Sequence, residues 1–296
     1  MSLAAGFHPK QILCPIDMSP LSDLALKYAH VGAQVFGARL TVLNAMLFEY
    51  PRYLSKELTD QVLRELNRAK ADARDQLAGH VAKVLGHGAR KAEIDYRTVD
   101  IDAAQAILQA VEEIRADLVV MGTHGYSGFK HWMLGSVTEK VLHLSKAPVF
   151  TIRQKIDDFI DPDKPDARPA IKQILCPCNF SPAAAAALQT AVALAQRMNA
   201  RLAVMHSEES PSADGPQRLR EWIKKSGVDN TAIHTILRQG DAADQTIVAA
   251  RELGSDLIVI GSCHRPFGEG TVVGRTSERV ARHATVPVLT VPYFEP

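Results

Sequence analysis

A chain of 296 residues is about two ordinary domains long, and its 46% hydrophobic and 23% charged residues are the proportions of a globular protein, which excludes a disordered one. Lys and Arg number 34 against 33 Asp and Glu, a formal net charge of +1, so there is no basic field to gather nucleic acid or anionic lipid. Met1 to Gln11 lacks a charged segment followed by an apolar one, and Pro182 to Gln196 is too short and too rich in Ala to span a bilayer, so a cytoplasmic protein with no membrane or nucleic-acid partner is expected.

In chain order, short Val, Ile and Leu runs alternate with helical periodicity. The pattern predicts strand 11–16, helix 20–36, strand 39–46, helix 54–85, strand 92–98, helix 103–114, strand 117–121, helix 136–145 and strand 148–152. Such alternation means an open parallel sheet covered on both faces. Ser19-Pro20 reads as an N-cap followed by a proline at the first helical position, and Ser136-x-x-Glu139 has the form of a capping box.

The series then repeats. Gln11-Ile-Leu-Cys-Pro-Ile-Asp17-Met-Ser19-Pro20 returns as Gln173-Ile-Leu-Cys-Pro-Cys-Asn179-Phe-Ser181-Pro182, an offset of 162 (173 − 11). Ala116-Asp117 to Gly122 returns as Ser255-Asp256 to Gly261, and Ala147-Pro148 to Ile152 as Val286-Pro287 to Val291, both at an offset of 139 (256 − 117). The second copy is therefore 23 residues shorter (162 − 139), and the loss falls between its second strand and third helix, where only about Gln217 to Gly227 is helical. Between the copies, 154–169 is rich in Asp and Pro and cannot bury a face, so the domains are expected at 1–153 and 170–296 with a linker at 154–169.

Chemistry concentrates after the fourth strand, in Gly122-Thr123-His124-Gly125 and, after nine intervening residues, Gly135-Ser136-Val137. Glycines there let backbone approach a ligand, and the start of the following helix offers amides and a dipole to an anion. Taken singly, these residues also fit turns, and Ser136 fits a helix cap. Asp17 after strand one is equally an Asx turn or a ligand contact. His124 has no nucleophile and carboxylate placed to make it a general base and reads as part of the loop's shape.

Together, Gly-x-x-Gly, nine residues and Gly-Ser after a Val-Val-Met strand resemble the nucleotide motif of the universal stress protein family. The Pro15-x-Asp17-x-Ser19 turn, the acidic Glu139 and the Ala-Pro-Val-Phe-Thr-Ile strand extend the resemblance, which covers both copies. It implies an α/β fold of two tandem doubly wound domains, each an open five-stranded parallel sheet of order 3-2-1-4-5, with ATP across the strand ends. It further implies that Asp17, beside Pro15, meets the ribose or adenine edge and that the Ala45 backbone meets adenine. Gly122, Gly125, Gly135, Ser136 and Val137 would hold the phosphates, with a divalent cation such as Mg, and Thr123 and His124 of the same loop would belong to the nucleotide site. Single-domain relatives pair their last strands, so strands 148–152 and 287–291 should run antiparallel in an internal pseudo-dimer. A further homo-oligomer is left open.

Copy two departs from the motif. His264 stands for Gly125, Phe267 for Gly128, Arg275 for Ser136 and Asn179 for Asp17, which argues against nucleotide there. Cys178, His206, Cys263 and His264 fall at neighbouring strand ends, a thiolate and imidazole set of the kind that binds zinc, though buried cysteines and cleft-filling histidines explain them as well. Three functions compete: an ATP-binding stress sensor or adaptor with at most slow hydrolysis, a true ATP-cleaving enzyme of the adenine-nucleotide α-hydrolase-like group, and a nucleotide-free scaffold. The enzyme requires a Gly-Gly-x-Asp-Ser type loop, which Pro15-Ile-Asp17-Met-Ser19-Pro20 is not.

Overall fold

The computed structural model describes residues 6–46, 72–86, 92–124, 134–153, 171–210, 212–228, 233–267, 270–273 and 275–294. Copy one runs β1 (Gln11–Pro15), α1 (Pro20–Phe36), β2 (Arg39–Ala45), α2 over 72–85, β3 (Ile94–Val99), α3 (Ala103–Ile114), β4 (Leu118–Gly122), α4 (Ser136–Leu144) and β5 (Val149–Ile152). Copy two runs β6 (Gln173–Cys178), α5 (Pro182–Met198), β7 (Arg201–Glu208), α6 (Gly215–Lys225), β8 (Ile233–Gln239), α7 (Ala242–Glu252), β9 (Leu257–Phe267), β10 (Gly270–Val273), α8 (Arg275–His283) and β11 (Val288–Phe294). Of the predicted helix 54–85, the part before 72 lies outside the described residues, as does the expected linker 154–169.

Shared sequence produces shared local physics. Ser19 and Ser181 cap α1 and α5 by accepting from Ser22 N and Ala184 N, each with a proline in the first turn. Those helices end on left-handed residues 162 apart, Gly37 (φ 64) and Asn199 (φ 54). The recurrent Asp before the fourth strand has a structural reason: Asp117 accepts from Lys10 N and Gln11 N at 2.7 and 2.9 Å, and Asp256 accepts from Lys172 N and Gln173 N at the same distances. Each carboxylate ties the start of the fourth strand to that of the first.

All pairings within a copy's five principal strands are parallel, in the order β3-β2-β1-β4-β5 and β8-β7-β6-β9-β11, so both halves follow 3-2-1-4-5 as expected. The halves join where β5 and β11 pair antiparallel, Val149 opposite Thr290 and Thr151 opposite Val288, as the resemblance implies, giving one continuous sheet. Thr151 also donates to Val288 O at 3.2 Å. On one face a single core runs through both copies, from Ile12, Leu26 and Leu77 to Ile174, Leu188 and Ile223. On the other face are two cores, one under α3 and α4 and one under α7 and α8, and Ala281 of α8 reaches into the first.

One element is not what the repeat predicts. Whereas β4 ends at Gly122, after its counterpart Gly261 β9 continues to Phe267 and β10 folds back on it, Val273 opposite His264. β11 extends alongside as far as Phe294 opposite His264.

Candidate functional site

The C-terminal ends of β1, β2 and β4, with the first turns of α3 and α4, enclose a cleft of about 320 Å³. This is where ligands of open parallel sheets bind. Pro15, Asp17 and Ala45 stand on one wall, and Gly122, His124, Gly135, Ser136 and Val137 on the other. Thr123 is buried just behind, its hydroxyl 3.0 Å from His124 Nδ1 and its carbonyl accepting from Gly135 N at 2.8 Å. Gly125 lies outside the described residues. A wider depression of about 580 Å³ lies at the opposite end of the strands, among Lys10, Gln34, Arg39 and Glu93, and holds none of the predicted residues.

The turn that carries Asp17 is shaped by backbone. Met18 takes φ 62, and its counterpart Phe180 takes φ 63, a left-handed conformation rare for bulky residues and here built twice. Asp17 Oδ1 accepts from Ser19 N at 3.1 Å, so the Asx-type turn is real, and the exposed carboxylate also borders the cleft. At the end of β2, Asn44 donates to Ile16 O at 2.8 Å and fixes the wall that carries Ala45.

α4 corrects one expectation. Ser136 is not the cap of a capping box; Gly135 is the N-cap, with no side-chain cap hydrogen bond, and Ser136 is already helical. The reason is steric and geometric: Gly135 sits against β4's extension, where an added Cβ would lie 3.1 Å from Thr123 O. The first turn of α4 thus faces the cleft with its amides uncovered by a capping side chain, an arrangement suited to an anion. Thr138 Oγ1 holds the loop's base by donating to Gly122 O at 2.9 Å.

Sequence motifs overlooked the apolar floor. Leu43, Ile107 and Met121 line the cleft together with Ile16, Ser22 and Ala103. Their signal is positional: inward residues at strand ends and the first turns of α1 and α3.

Copy two is packed differently at the equivalent place. Gly261, 139 residues after Gly122, meets α5 so closely that a Cβ would lie 2.3 Å from Ala183 O. His206 replaces Asn44: its Nδ1 lies 2.9 Å from Cys178 O, its Nε2 3.5 Å from Glu208 Oε1, and Phe180 packs on its ring with centroids 4.2 Å apart. Backbone and hydroxyl donation from Ser212 hold the Glu208 carboxyl below its ordinary range. Burial pushes the Cys178 thiol up to about 12. Among the described residues no three His, Cys, Asp or Glu side chains are grouped to hold a metal ion. No described helix is long and apolar enough to cross a membrane.

A sequence profile of the universal stress protein family matches residues 9–153 and again 170–292. The chain belongs to the universal stress protein family. A universal stress protein of Mycobacterium tuberculosis is 26% identical over 307 residues, covering 97% of this chain and 98% of that one. One of Thermus aquaticus is 34% identical over 146 residues, 49% of this chain and 98% of its own. Among solved structures, a universal stress protein from Archaeoglobus fulgidus DSM 4304 superimposes with a TM-score of 0.70 at 23% identity, covering 96% of this chain and 98% of that one. The tandem form of the universal stress protein is thus shared from end to end, and the half-length relative corresponds to a single copy.

Proposed function

We propose that this universal stress protein binds ATP in the cleft of its N-terminal copy and works in the cytoplasm as a sensor or adaptor, with at most slow hydrolysis. The observation that carries the reading is the convergence of Asp17, Ala45, Gly122, Gly135, Ser136 and Val137 on one cleft at the strand ends. Its walls suit a nucleotide: an apolar floor of Leu43, Ile107 and Met121 for a base, and the uncapped first turn of α4 for phosphates. The cradle fits close backbone approach, because a side chain at Gly135 would press on Thr123 O. In this assignment Asp17 beside Pro15 meets the ribose, the Ala45 backbone meets adenine, and the loop from Gly122 through Thr123, His124 and Gly125 to Val137 holds phosphates. A divalent cation would offset the charge of those phosphates beside the Asp17 carboxylate. Copy two, with Gly261 against α5 and a hairpin at the place of copy one's glycine motif, serves as a structural partner and holds no nucleotide.

Calorimetric titration of the intact chain with ATP, alongside mass spectrometry of any ligand carried through purification, tests this. One ATP per chain, lost in Gly135→Trp, is the expected result. A stoichiometry of two, or affinity untouched by Gly135→Trp, refutes the assignment, and absence of binding leaves the scaffold as the function.

A further inference from the structure

α4 of copy one and α8 of copy two meet beside the β5–β11 seam, where Glu139 and His143 of α4 face Glu278 and Arg282 of α8. Glu139 and His143 stand one helical turn apart on α4, as do Glu278 and Arg282 on α8. Arg282 Nη2 lies 3.9 Å from Glu139 Oε2 and is hydrogen-bonded to Glu278, whose Oε2 lies 3.6 Å from His143 Nε2. All four are partly buried, with side-chain exposures from 23% to 42%. The backbone of Arg282 is held independently, its carbonyl accepting from Arg153.

Glu139 belongs to the first turn of α4, the turn that presents Gly135, Ser136 and Val137 to the cleft. A carboxylate there complements the helix dipole but opposes any other anion at that end. Arg282 is the cation facing it from copy two. Resting on the reading that this cleft takes ATP, we propose that Arg282 is a positioning residue in trans to the site. By offsetting Glu139 it keeps the phosphate end of copy one receptive to a polyphosphate, so copy two sets how strongly copy one prefers a phosphorylated ligand to a bare nucleoside.

The test is calorimetric titration of the full chain with ATP and with adenosine in one low-salt buffer. With the interaction screened by a solvent-like dielectric, Arg282→Gln should weaken ATP about three- to tenfold and leave adenosine unchanged. The loss should fade in high salt, be absent in Arg282→Lys, and be reversed in Arg282→Gln/Glu139→Gln. Equal weakening of adenosine, no effect on ATP, or no rescue by the second substitution overturns the proposal. If Arg282→Gln does not fold, Glu139→Gln alone decides: it should tighten ATP and not adenosine, and no change overturns the proposal. Wild-type chain that binds neither ligand overturns instead the nucleotide reading of the cleft, and this inference with it.

Discussion

Gly122 and Gly261 occupy the same place in the two copies, yet alanine should be received very differently. At Gly261 the new Cβ would lie 2.3 Å from Ala183 O, 2.5 Å from Ala183 C and 2.9 Å from Ala184 N, all backbone of the first turn of α5. Ordinary contact begins at 3.4 Å, so that turn must retreat by about 1 Å (3.4 − 2.3). Retreat strains the Ser181 cap on Ala184 N, worth about 1 kcal/mol, and adds overpacking of about 1–3 kcal/mol against β9. At Gly122 the nearest atoms are Leu21 Cγ at 2.8 Å and Cδ2 at 3.2 Å, a side chain able to turn. We expect Gly261→Ala to cost about 2–4 kcal/mol and Gly122→Ala about 1–2 kcal/mol, a gap of about 2–8 °C in Tm. Thermal and urea unfolding measure both. A double-mutant cycle with Leu21→Ala should show coupling in copy one, while Ala183→Gly should relieve nothing in copy two, where the obstacle is main chain. Equal costs, or a larger one at Gly122, would refute the reasoning.

Asp17→Ala should weaken ATP by about 1–3 kcal/mol in calorimetry if it leaves a ribose hydroxyl without its partner. A disulfide reagent should titrate Cys263 alone in the native protein, since Cys14, Cys176 and Cys178 are buried with their thiols pushed up by desolvation; four reactive thiols without denaturant would contradict the packing. Desolvation and the nearby Arg153, Arg282 and Arg279 hold the His283 imidazole below its ordinary 6.5. The unfolded chain therefore takes up this proton first on acidification, so its contribution to stability is full above pH 6.5 and is lost as pH falls below it. His283→Gln should flatten that part of the stability profile, and an unchanged slope in pH-dependent urea unfolding would count against it.

The sequence made the fold legible because two copies report on the same elements. Repetition of Gln11-Ile-Leu-Cys-Pro at Gln173 and of Asp117 at Asp256 marked strands whose starts are pinned by the same hydrogen bonds. The strand order and the β5–β11 pairing came from family resemblance, since no local pattern encodes which strands become neighbours. The walls of the cleft were legible where glycine spacing betrays backbone approach. Its floor was not, because Ile107 and Met121 look like any core residue until the sheet brings them to its edge. Ser136 was misleading because a hydroxyl three residues before Glu139 satisfies the capping pattern whether or not the helix begins one residue earlier. The hairpin of β9 and β10 was hidden by the repeat itself: alignment to the glycine loop obscured Thr271-Val272-Val273 after Gly268-Glu269-Gly270, a strand and turn signal when read alone.

The antiparallel seam between β5 and β11 is made within one polypeptide, and this removes it from mass action. Two separate chains joined by the same strands would part on dilution below their dissociation constant, and a two-fold axis would oblige both clefts to carry the same residues. Here the seam persists at any protein concentration. Its two sides are free to drift apart in sequence, so that Gly122 can face Leu21 in one half while Gly261 meets bare backbone in the other.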